Sequence, residues 1–179
     1  MADIAAAAEF SRLIEVERIG EEGVCMTITA DVEERAALAR RFDLLSLDRL
    51  VAEVQVQPKG TDGSVVVDLD WQADVVQRCV VSLEPVAAHL AERSRLVFSD
   101  RPEATEAYGG EDFDLESEEP PEPLVEGRID VGELTAEQMA LALDPYPRRP
   151  DARLPEAYAE HEPERRNPFA ALAKLKEKQ

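Results

Sequence analysis

The sequence predicts an α+β fold: an antiparallel sheet, open or curled into a barrel, with helices packed against it. Three observations carry this. Val65, Val67, Leu69, Trp71, Ala73 and Val75 alternate with Val66, Asp68, Asp70, Gln72 and Asp74, the period-two pattern of a strand with one buried face. Residues 86–98 follow as a second extended stretch after a short segment closed by Pro85. That interval is too short for the crossover helix a parallel pairing needs. Asp31, with Glu34 three residues on, has the pattern of a capping box and starts a helix.

The elements follow in order. Residues 9–16 mix apolar and polar positions as a strand, and Gly20 to Gly23 supply a polar turn. Val24, Met26, Ile28 and Ala30 alternate along a second strand. The capped helix runs over 32–42, with Ala36, Leu38, Ala39, Phe42 and Leu45 as its apolar stripe. Leu47 and Leu50 lead into a strand whose clearest part is 51–57, and Pro58, Gly60 and Gly63 punctuate the chain before Val65. The sheet-rich core therefore spans 9–98.

Beyond it the charge pattern changes. Residues 100–126 hold eleven acids and one arginine, a net −10, with Gly109-Gly110 and Pro120-Pro121 among them. Self-repulsion and few branched side chains predict an acidic, flexible excursion over 99–123. Leu124 to Ile129 re-enter as an edge strand. Asp130 or Gly132 then precedes a helix through Leu143, whose Leu134, Met139, Leu141, Ala142 and Leu143 dock on the core. This return, 124–146, belongs to the same domain. Pro145 and Pro147 end it, and 147–179 form a tail. Within the tail Asn167 caps a short helix with Pro168 in its first turn and Phe169, Leu172 and Leu175 on one face. So short a helix needs a surface, its own or foreign, to persist in water.

The chain of 179 residues is 44% hydrophobic, enough for a substantial core. Its formal charge of −19 repels phosphate backbones and anionic membranes at long range. Residues 145–179 are the counterweight, with eight Lys or Arg against six acids. Ala5 to Ala8 is too short for a secretory core, and Glu9 interrupts it. With two cysteines, Cys25 and Cys79, the expectation is a cytoplasmic protein with free thiols and no membrane partner.

No sequence motif here marks an enzyme. Nucleotide-binding glycine loops, HExxH and nucleophile elbows are absent from the sequence, and no catalytic, cofactor-binding or metal-binding residue is assigned. Arg78 beside Cys79 suggests an activated thiolate. Consecutive strand residues face opposite sides, however, so a buried structural cysteine is the simpler reading. His89 reads as a surface residue or a satisfied core imidazole, His161 as a solvated tail residue, and Asp68, Asp70 and Asp74 as a wetted sheet face. Recognition is better supported. Arg148 and Arg149 flank Tyr146 in a proline-restricted turn, and Arg165 and Arg166 precede Asn167-Pro168-Phe169. These groups suit phosphate pairing and base stacking, while local pairing with Glu160, Glu162 and Glu164 is the plainer account of the second pair. Phe169, Leu172 and Leu175 either close a core edge or meet a partner.

Five segments in this order resemble the YceD-like large ribosomal RNA subunit accumulation family, in its alphaproteobacterial form. They are Glu9-Phe10-Ser11-Arg12, the 76–85 run with Arg78-Cys79, Ile129-Asp130-Val131-Gly132-Glu133-Leu134, the 140–147 run ending in Tyr146-Pro147, and the closing stretch 167–176. The resemblance implies a role in large-subunit rRNA accumulation and ribosome assembly, with no reaction attached. The implied partner is an assembly intermediate, met through ribosomal protein, rRNA or both. Relatives carry a cysteine at the position of Val76, giving C-x-R-C, and further cysteines after the helix matching 133–143. This chain has neither, which weakens any metal or redox expectation. A Cys79-dependent redox or metal protein and an interaction module without RNA contact stand as alternatives.

Overall fold

A computed structural model describes residues 8–59, 63–100 and 121–153. Its main sheet has five strands: β2 (Val24–Thr29), β3 (Ser46–Lys59), β4 (Ser64–Arg78), β5 (Pro85–Ser99) and β6 (Glu122–Pro123), in that spatial order. β2 to β5 form an antiparallel meander, and β6 lies parallel to β5 through Phe98↔Glu122 and Ser99↔Pro123. A second, two-stranded sheet pairs β1 (Leu13–Glu15) with β7 (Arg128–Asp130). A 3-10 turn over Val16–Arg18 and the helices α1 (Val32–Arg41) and α2 (Val131–Leu141) complete the described elements. The fold is α+β, as expected.

The sheet is not a barrel. β2 and β6 are its edges, and they do not pair with one another. Closure needs edge strands long enough to share a staggered ladder, and β6 offers two residues.

The inner face is built by the alternation. Val65, Val67, Leu69, Trp71, Ala73 and Val75 of β4 are all buried, and Trp71 is fully so. Its indole Nε1 has no acceptor among the described residues. On β3, Leu47, Leu50, Ala52, Val54 and Val56 face the same way. Leu47 and Leu50 differ by three, which strict alternation forbids. The register irregularity between Leu47 and Arg49 restores the match by leaving Asp48 unpaired. The expected break at Pro58 is also displaced, since Pro58 and Lys59 still pair with Val65 and Ser64.

Both helices cover this face. Leu38 and Ala39 of α1, and Val131, Leu134, Ala136 and Met139 of α2, join one core with the strands. Asp31 accepts from the amides of Glu33 and Glu34, and Glu34 returns a carboxylate to the Asp31 amide at 2.8 Å, completing the capping box. Asp130 caps α2 through Gly132 and Glu133 and also accepts from Ser11 and the Arg12 amide. Arg41 bridges the helices, forking onto Glu133 at 2.5 and 2.9 Å and reaching Glu9 at 3.0 Å. Leu141, expected to dock, is 80% exposed. It lies on the solvent side of α2.

Two further expectations shift. The edge strand expected over 124–129 forms only at Arg128–Asp130, and this strand, β7, pairs with β1 instead of extending the main sheet. The acidic segment 99–123 is anchored at both ends, at Ser99 in β5 and at β6, while 101–120 lies outside the described residues.

Candidate functional site

The far end of the β4–β5 hairpin brings together segments more than sixty residues apart. β4 ends at Arg78, which pairs with Pro85 across the turn. Within it, Cys79 donates to the Glu84 carbonyl at 2.9 Å and Leu83 donates to the Cys79 carbonyl at 3.0 Å. Leu83 takes a φ of 63°, a left-handed conformation that a branched-chain residue rarely adopts. After α2 the chain lies across this turn. Gln77 Nε2 donates to the Asp144 carbonyl at 2.9 Å, and the Val80 amide donates to the Pro147 carbonyl at 2.9 Å. Asp144 folds its own carboxylate onto the Tyr146 amide at 2.9 Å, setting the bend before Pro147, which is buried.

Cys79 is the hub. No part of it is exposed. The Ser82 hydroxyl, followed by the amides of Ser82, Arg149 and Val81, directs donors at its sulfur and pulls the thiol down to about 6. Complete burial opposes this, but the donors outweigh it. The Ser82 amide lies 3.4 Å from Sγ. The sulfur therefore acts as an acceptor within the hairpin turn, while the Val80 and Gln77 bonds join that turn to the 144–152 segment.

The arginines divide into two kinds. Arg149 is committed: its guanidinium forks onto Asp151 at 3.0 Å twice and sits 3.5 Å from Glu84. Asp151 is held below the usual carboxylate range by that fork. Arg78 and Arg148 are exposed and make no ion pair among the described residues. Around them stand Tyr146 (74% exposed), Leu83 (64%) and Val80 (48%). Residues 76–85 and 144–153 together carry four arginines and three acids, a net +1 within a chain of −19. Aromatic and aliphatic surface beside two open guanidinium groups suits recognition of stacked bases, phosphates or protein.

Of the residues singled out from sequence, Arg78, Cys79, Tyr146, Arg148 and Arg149 converge here. Arg165, Arg166, Phe169, Leu172 and Leu175 lie outside the described residues. Sequence reasoning missed Val80, Leu83 and the Glu84 clamp. The available signal was two apolar residues inside a hairpin turn, where polar residues are the rule.

The opposite sheet face is wetted and self-paired. Asp70 meets Arg93 at 2.6 Å, Asp68 meets Arg95 at 3.5 Å, and Asp74 meets His89 Nδ1 at 2.6 Å. These are exposed pairs, each worth little on its own. Among the described residues, no three His, Cys, Asp or Glu side chains gather as a metal site, and no helix is long and apolar enough to cross a membrane.

Compared with known proteins, residues 67–176 match the family model described as large ribosomal RNA subunit accumulation protein YceD. The match takes in the whole corner, from the end of β4 through Arg149. No curated protein and no solved structure matches the chain.

Proposed function

Because the chain belongs to the YceD family of large ribosomal RNA subunit accumulation proteins, we propose that it is a non-enzymatic factor supporting accumulation of that rRNA. It does so in the cytoplasm, by engaging a large-subunit assembly intermediate. The surface that meets the particle is the corner bearing Arg78, Val80, Leu83, Tyr146 and Arg148. The observation carrying this reading is the convergence of two separate stretches of the matched region on one exposed aromatic and cationic surface.

The contact combines open guanidinium groups for phosphate or carbonyl oxygens with Tyr146 for stacking. The chain's negative field disfavours broad, nonspecific binding along RNA. A small local contact on a preformed particle suits that field better. Cys79 serves as structure, since its sulfur is enclosed and accepts the Ser82 amide.

Depleting the protein from cells and measuring the ratio of large- to small-subunit rRNA tests the proposal. The expected result is a fall in that ratio, restored by the wild-type chain and poorly restored by Arg78→Glu/Arg148→Glu. An unchanged ratio on depletion overturns the proposal. Full restoration by the double variant removes the corner from it.

A further inference from the structure

At the other end of the sheet, β1, β6, β7 and α2 enclose a groove of about 510 Å³. Its floor is buried core: Phe98, Ile129 and Leu134. Its walls leave large apolar side chains in water, with Leu13 60% and Val125 70% exposed beside Pro123. Isolated apolar residues on a surface mean little, but several around one concavity mark a contact site. The rim is acidic. Glu122, Glu126, Asp130, Glu133 and Glu137 line it, against Arg128 alone.

Local pairs reduce that charge without cancelling it. Arg128 is bound to Glu126, and Arg41 from outside the groove engages Glu133. Asp130 spends its oxygens on the α2 cap and on Ser11 and Arg12. Glu137, one turn beyond Glu133, is exposed and has no cationic partner among the described residues. Even with Glu122 set aside, four rim acids against Arg128 and Arg41 leave a net −2. An apolar cleft under a negative rim excludes phosphate backbones and favours a cationic chain that also carries aliphatic anchors.

We propose that this groove docks a basic peptide segment, with Leu-like anchors seated between Leu13 and Val125 and Lys or Arg facing Glu126 and Glu137. The inference rests on the large-subunit reading for the source of the segment, an extension of a basic ribosomal protein. The corner and the groove would then hold two components of one particle.

The test is fluorescence anisotropy of the full chain with a fluorescein-labelled peptide of repeated Lys-Lys-Leu units. Lys-Lys-Ser and Glu-Glu-Leu repeats serve as controls. Saturable binding of Lys-Lys-Leu alone is expected. Glu126→Lys/Glu137→Lys should weaken it by about tenfold, and Leu13→Ser/Val125→Ser by roughly fivefold. All four side chains are exposed, so the variants should keep the wild-type circular dichroism spectrum. Asp68→Asn/Asp70→Asn, on the wetted sheet face, should leave binding unchanged. Equal affinity in all variants, or loss with the sheet-face pair alone, overturns the proposal. So does tighter binding on Phe169→Ser/Leu172→Ser, which would mean that the chain's own C-terminal segment fills the groove. The peptide assay reads the groove alone and the rRNA ratio reads the family role, so either can fail without the other.

Discussion

The Val80 amide donates to the Pro147 carbonyl at 2.9 Å, joining the turn after β4 to the segment after α2. Proline cannot return a donor, so this bond is one-way, and Gln77 Nε2 adds a second tie by donating to the Asp144 carbonyl at 2.9 Å. These two bonds hold the segment bearing Tyr146 and Arg148 beside the turn bearing Arg78 and Leu83. The position of the candidate interface depends on this pair of residues more than on any charged contact.

The Cys79 thiol has a pH signature. Its thiol is lowered in the folded chain from 9.0 to about 6. Between those values the unfolded chain holds a proton that the folded chain has released, so stability rises with pH across that window. The contribution is complete above the unfolded value and is lost as pH falls through about 6. Cys79→Ser cannot ionise there. The difference in Tm between wild type and Cys79→Ser should widen steadily from pH 6 to 9, and parallel curves would rule out an ionised sulfur.

Asp31→Ala removes the side-chain half of the α1 capping box, the acceptor of the Glu33 and Glu34 amides, and leaves the residue 31 amide to donate to Glu34. The expected cost is about 1 kcal/mol, measured by urea unfolding with an unchanged m-value. A cost below a few tenths would mean that water replaces the cap.

Gly132→Ala should be costlier than a helical Gly-to-Ala change, which ordinarily stabilises. A Cβ at this position meets the Phe10 carbonyl oxygen at 2.4 Å and the Arg12 amide at 2.9 Å, both backbone atoms. The N-terminal segment must move away from α2, at roughly 1–3 kcal/mol. Urea unfolding of the variant checks the sign, and stabilisation would contradict the close approach.

These cases show which parts of the molecule were legible in sequence. The β4 face was readable because alternation is a local signal, and Val65, Val67, Leu69, Trp71, Ala73 and Val75 are buried as their pattern predicts, although Val66 on the other face is buried too. The α1 cap was readable for the same reason. Leu13↔Asp130 pairing was not, since no local period reports a partner far along the chain. Leu50 obeys no simple alternation with Leu47 because an unpaired Asp48 intervenes. At the candidate site, Arg78, Tyr146 and Arg148 were recognisable by type. That Arg149 is bound to Asp151 and Glu84 was not, because the clamp needs the turn and the post-helix segment side by side. The groove escaped notice for a related reason: Leu13 and Val125 belong to separate stretches that meet only in the folded chain.

If the corner faces a large-subunit particle, crosslinking mass spectrometry of native preribosomal particles should join residues 78–83 and 146–148 to large-subunit rRNA or its proteins. Arg78→Glu/Arg148→Glu should weaken those crosslinks. Crosslinks solely from the Asp68–Asp74 sheet face, or native complexes containing no large-subunit component, would contradict that placement.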